Sequence, residues 1–112
     1  MAFQAEYFQV GNIIDFTPGS DVAAGDVVVQ GELVGVARQV ILANKLGALT
    51  VEGVFKWAKD NSTAFAVGVD VFWDVADGEA TEDADTGTNK LIGKVILAAG
   101  ATDTILLAKL NQ

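Results

Sequence analysis

Asp26-Val27-Val28-Val29-Gln30-Gly31-Glu32-Leu33-Val34-Gly35-Val36-Ala37 decides how this chain folds. The valine run is β-branched, which stiffens the side chain against helix and suits a pleated surface. Gly25 and Gly31 bound it, and only Gly31-Glu32 separates it from Leu33 to Ala37. That spacing reads as a tight hairpin or as one strand bent at a glycine. Toward the N-terminus, Asn12-Ile13-Ile14-Asp15-Phe16 reads as another short strand, stopped by the turn cluster Thr17-Pro18-Gly19-Ser20. Toward the C-terminus, Leu49 to Phe55 alternates, with Leu49, Val51 and Gly53 on one face and Thr50, Glu52 and Val54 on the other. Val69-Asp70-Val71-Phe72-Trp73 alternates too, and Lys90 to Ala98 and Thr104 to Leu110 read as two apolar strands around Ala99-Gly100-Ala101-Thr102-Asp103. Helical signals are few: Arg38 to Leu46 forms a turn or two or else extends a strand, and Asp60-Asn61-Ser62 could cap a single turn. The fold class is therefore mainly β, a small Gly/Val-rich β-barrel or β-sandwich with at most one or two short helical turns.

The chain also echoes itself. Ala24-Gly25-Asp26-Val27-Val28 matches Val67-Gly68-Val69-Asp70-Val71, and Glu32-Leu33-Val34-Gly35-Val36 matches Lys90-Leu91-Ile92-Gly93-Lys94. Thr50 to Val54 resembles Thr104 to Ala108 more faintly. The offsets differ because the second copy carries an insertion near Val75 to Asn89, so the expectation is an internal pseudo-repeat of three-strand units. Residues 1–11 read as an N-terminal arm and 12–112 as a single β-rich domain with an acidic loop at 74–89.

Composition excludes several functions. The 112 residues contain no His and no Cys, which removes the usual general base, the thiol nucleophile, nearly all zinc and iron sites and any disulfide. A net charge of -8 makes nucleic acid a poor partner, since phosphate neutralisation supplies most non-specific affinity. The longest uncharged run, Asn61 to Val69, is far too short to span a membrane, and Met1 to Glu6 lacks the basic and apolar regions of a secretory signal. The expectation is a protein made and kept in the cytosol.

Motifs for chemistry are missing or incomplete, so no cofactor is expected. A phosphate-binding loop ending at Gly93-Lys94 would need Gly at 88 and Ser or Thr at 95, where the chain has Thr88 and Val95. The acidic loop, Asp74-Val75-Ala76-Asp77-Gly78-Glu79, does not follow the ligand order of a calcium-binding EF-hand. Asp70 and Asp74 could form a carboxylate pair of the glycosidase kind, and Trp57 and Trp73 could line the groove of a carbohydrate-binding or adaptor module. The aromatics carry the stronger signal. Phe3, Tyr7 and Phe8 crowd the first eight residues, where each costs roughly 1.5–3 kcal/mol if left in water rather than fully buried. Such an arm packs on its own body or on another subunit. Trp57, with Lys56 and Lys59 beside it, suits an interface anchor with a polar rim. The candidate interface is thus Phe3, Tyr7, Phe8, Lys56, Trp57 and Lys59.

Taken in order, Tyr7, Gly11, Ile14-Asp15-Phe16-Thr17-Pro18, Ala24 to Val28, Leu33 to Ala37, Gly47, Val51 to Phe55, Ala66-Val67-Gly68, Phe72-Trp73-Asp74 and Leu91-Ile92-Gly93 resemble the capsid cement, or decoration, proteins of tailed bacteriophages and prophages, which sometimes carry a recombinase label. Lys56-Trp57-Ala58-Lys59 departs from the Pro-Lys often found there in that family. The resemblance implies a virion protein without catalytic residues, bound to the major capsid protein on the outside of the mature head. It also implies a homotrimer that bridges neighbouring capsomers. The recombinase label finds no support, because the nucleotide cradle is absent and the charge has the wrong sign for DNA.

Overall fold

The computed structural model describes residues 4–112 and contains nine strands: β1 (Ile13–Phe16), β2 (Val27–Gln30), β3 (Leu33–Val36), β4 (Gly47–Thr50), β5 (Gly53–Ala58), β6 (Asp70–Asp74), β7 (Glu79–Thr81), β8 (Lys90–Leu97) and β9 (Ile105–Leu110). All strand pairs are antiparallel. They form a four-stranded sheet in the order β1-β4-β3-β2 and a five-stranded sheet in the order β5-β9-β8-β6-β7. The architecture is a β-sandwich rather than a closed barrel, and a single 3-10 turn at Asp85–Gly87 is the only helical element among the described residues.

The β2–β3 hairpin forms over Gly31-Glu32 with Val27 opposite Val36, Val28 opposite Gly35 and Val29 opposite Val34. Gly31 takes a positive φ of 62°, which a tight two-residue turn demands and glycine adopts without strain. Because strand side chains alternate, the hairpin buries both of its faces. Val27, Val29, Val34 and Val36 join the larger core, which also holds Trp57, Val71, Trp73, Ile92, Val95, Leu106 and Leu110 of the five-stranded sheet. Val28 and Ala37 turn the other way and meet Val22, Ile41 and Leu49 with Ile14 and Phe16 in a smaller core. The four-stranded sheet closes over that second core, and β3 meets β4 only through the Val36–Thr50 pair. Gln112 ties the two sheets together: its side-chain oxygen accepts from the Val34 N–H at 2.5 Å and its amide donates to the Val34 carbonyl at 2.6 Å.

The echo in the sequence has a structural counterpart. With β7 set aside as an insertion, the second sheet reads β5-β9-β8-β6, the same order as β1-β4-β3-β2, and each is a Greek key. The flanking bonds repeat as well. Gly25 N–H donates to Ala37 O at 2.6 Å and Gly68 N–H to Val95 O at 2.8 Å. Isolated bridges join Val22 to Ile41 in one half and Phe65 to Ala99 in the other. The repeat unit has four strands rather than three, and by topology β9 corresponds to β4 rather than to Thr50 to Val54.

Three local expectations are corrected. Leu49 to Phe55 is not one strand: the chain leaves the first sheet after Thr50 and enters the second at Gly53, whose φ of 140° bends it. Arg38 to Leu46 forms no helix, and Ile41 instead bridges to Val22. Asp60 starts no helix either, since its carboxylate accepts from the N–H groups of Ser62 at 3.2 Å and Thr63 at 2.9 Å, closing a turn.

The repeated glycines Gly35 and Gly93 sit where the facing strand comes close. A Cβ on Gly35 would meet the Leu49 side chain at 3.0 Å, whereas one on Gly93 would lie 2.1 Å from the Lys109 carbonyl oxygen, at a φ of 155°. A side chain can shift but paired backbone cannot. Gly93→Ala is therefore expected to cost about 3 kcal/mol or more and Gly35→Ala about 1–2 kcal/mol, read from urea unfolding midpoints. A Gly93→Ala variant as stable as the parent would contradict this packing of β8 on β9.

Candidate functional site

Apolar side chains that a domain cannot bury mark where it meets something else. Among the described residues the N-terminal segment before β1 forms no strand. It is tethered by Gln9, whose amide donates to Ile13 O at 3.4 Å, and by Asn12 O, which accepts from Val51 N–H at 2.9 Å. Tyr7 is 79% exposed and Phe8 90%, so among the described residues of the arm these two aromatics do not pack on their own body. Phe3 lies outside the described residues. Lys56 is exposed on β5.

Trp57 and Lys59 are not on the surface, which corrects their assignment to a contact face. Alternation along β5 sends Val54, Lys56 and Ala58 outward and Phe55 and Trp57 inward. Trp57 is 2% exposed, its Nε1–H donates to Ala108 O at 3.2 Å, and its ring centroid lies 5.8 Å from those of Phe55 and Trp73. Lys59, one residue past the strand and on the same side as Trp57, donates through Nζ to the carbonyls of Asp103 at 2.6 Å, Asp60 at 2.7 Å, Gly100 at 3.3 Å and Ala101 at 3.4 Å. It pins the β8–β9 turn to the end of β5. Trp73 is also a core residue, so the two tryptophans stack inside the sandwich and line no groove.

The carboxylates do not converge on a reaction site. Asp70 and Asp74 sit at opposite ends of β6, about 13 Å apart along an extended strand, beyond the reach of a glycosidase pair. Asp70 pairs with Lys94, and Asp74 accepts from the Asp77 N–H at 3.1 Å to close the β6–β7 turn. Part of the acidic loop is ordered as β7, and Asn89, buried at its end, donates to Asp83 O at 2.8 Å. Among the described residues no three carboxylates come together in a way that could hold a metal ion. Two acids are perturbed. Backbone N–H donation from Ser62 is the largest of the effects holding the Asp60 carboxyl below the usual carboxylate range. Desolvation, then the neighbouring charges of Asp60, Asp77 and Asp74, push Glu79 up.

A concave feature of the surface lies elsewhere. A groove of about 580 Å³ runs along the Arg38 to Gly47 segment and the start of β1. Its apolar wall is Ile13, Val40, Leu42 and Leu46, all exposed, and Arg38 and Lys45 supply its charge. The sequence signal was Val40-Ile41-Leu42 within a locally basic stretch: once Ile41 turns inward, its two neighbours must face out.

An exposed aromatic arm and an apolar groove on a rigid two-sheet body describe an assembling protein, and comparison with known families agrees. A family model described as phage cement protein matches residues 8–110. The chain belongs to the phage cement protein family. No curated protein and no solved structure matches it significantly. Membership makes the chain a capsid-associated virion protein with a structural role, as the resemblance implied.

Two measurements check this electrostatic picture. Lys59→Met removes the ammonium that joins the end of β5 to the Asp60, Ala101 and Asp103 carbonyls and is expected to destabilise the fold by about 1–3 kcal/mol in denaturant titration. Glu79 has a raised folded pKa, so its ionised form is disfavoured by folding and the penalty applies above that pKa. Glu79→Gln should therefore raise the melting temperature at neutral pH, and the gain should fade as pH falls through the Glu79 titration. A gain that grows on acidification would reverse the assignment.

Proposed function

We infer that this cement protein binds the outside of the mature head and braces neighbouring capsomers, with the major capsid protein as its partner and a homotrimer as its working form. The observation that supports this reading is the arm: Tyr7, Phe8 and Val10 are held out in water beside a body on which they do not pack. Exposing three such side chains is favourable only if an intermolecular contact covers them. The rest of the molecule fits a brace. Its main core is continuous across both sheets, so load on one face passes to the other through packed side chains rather than a hinge. The net charge of -8 keeps many free copies soluble. Several modest contacts per trimer add through effective concentration, so no single copy needs a large interface. Lys56, exposed on β5, remains a candidate contact to the shell.

The test is co-sedimentation with empty expanded capsids of the same phage. Removing residues 1–8 should lower occupancy at least tenfold while leaving the melting temperature within a degree or two, since none of the arm's described residues enters either core. Unchanged occupancy would take the arm out of the function.

A further inference from the structure

The groove and the arm belong to the same chain but do not meet within it. We propose that the groove lined by Ile13, Val40, Leu42 and Leu46 receives the segment Glu6-Tyr7-Phe8-Gln9-Val10 of a second copy, so that neighbouring copies are joined by exchanged arms. The proposal rests on the reading of the arm as a contact element and names its partner.

Three observations select this occupant. The groove is free of carboxylates in a chain with 15 acidic and 7 basic residues, and it holds Arg38 and Lys45. Its occupant should therefore be apolar with a negative charge, and Glu6 stands next to the two aromatics that are 79% and 90% exposed. The volume of about 580 Å³ lies within the range of cavities that enclose a group the size of a few side chains, which suits a Tyr-Phe pair. Finally, Ile13, the first residue of β1, is itself part of the wall. The arm thus leaves the body at the groove's edge, yet Tyr7 and Phe8 stay exposed beside it, so the groove is open to the arm of a second copy. Another acidic segment with an exposed apolar residue is the turn at Val75, but its Asp74, and Asp83 further along the loop, are engaged in closing their own turns. Arm and groove are different surfaces, so each copy gives one contact and takes one, and the association is satisfied when the ring of copies closes.

The chain has no cysteine, so introduced thiols report unambiguously. Phe8→Cys and Leu42→Cys variants are purified separately, mixed without any capsid, oxidised, and digested for mass spectrometry. The 8–42 disulfide between chains should form at least tenfold more than the 75–42 disulfide from a Val75→Cys and Leu42→Cys mixture. Light scattering on the unmodified protein should give a mass that is a multiple of 11.7 kDa, and Leu46→Glu, at an exposed position that leaves the fold intact by circular dichroism, should return it to the monomer. A monomeric parent at millimolar concentration, an excess of the 75–42 product, or a Phe8→Cys/Leu42→Cys double variant that closes only within one chain would each overturn arm exchange. No shell is present in this assay. Its failure therefore leaves capsid binding standing, and failure of capsid binding leaves the disulfide result standing.

Discussion

The β2–β3 hairpin is buried on both faces, and the rest of the structure depends on that double burial. Val27, Val29, Val34 and Val36 support the core shared with the five-stranded sheet, while Val28 and Ala37 support the core under β1 and β4. Val34 and Val36 are buried and Val27, Val28 and Val29 half-buried, and with roughly 1.5–3 kcal/mol for each fully buried valine and less for the others, this one hairpin contributes substantially to a domain of this size without a disulfide. It also explains Gln112. Val34 is fully buried, and β4 approaches β3 only at Val36, so the backbone groups of Val34 have no strand to pair with until the Gln112 amide takes that place.

A body built this way has little left to move or to react. The tryptophans that could have lined a binding groove are packed on one another, and Lys59, expected at a contact face, is committed to carbonyls. An aromatic arm and an apolar, cationic groove beside its root stay exposed at one edge. A brace needs this division, because stiffness comes from the parts that are fully paired and assembly from the parts that are not. The repeated Greek key serves the same end by building a second sheet that packs on the first with the same strand order, and β7 brings that sheet back toward the end of β5 through the Lys59–Ala80 bridge, with Ala80 in the core.

Much of the fold was legible because its signals are local. The hairpin follows from β-branched residues, bounding glycines and a two-residue gap, and the pseudo-repeat from the paired positions of Gly25 with Gly68 and Gly35 with Gly93. What failed depended on where the chain goes next. The alternation from Leu49 to Phe55 continues through a change of sheet, and only Gly53 hints at the break. Trp57 could have been placed inside by carrying the Val54-Phe55-Lys56 alternation forward, but its lysine neighbours suggested water. Lys59 was beyond sequence reasoning, since three of the carbonyls that hold it lie more than forty residues away. The arm was identified as the element needing a partner, but its exposure and the groove beside its root are properties of the folded surface.

The role proposed for the chain is mechanical: to hold a pressurised shell together by adhesion. The most direct measurement is the temperature at which DNA-filled heads burst, followed by dye access to the genome, for heads stripped of the protein and for the same heads after it is added back. The account predicts that stripped heads burst several degrees earlier and that re-addition restores the original temperature. Heads that burst at the same temperature with and without the protein would contradict it.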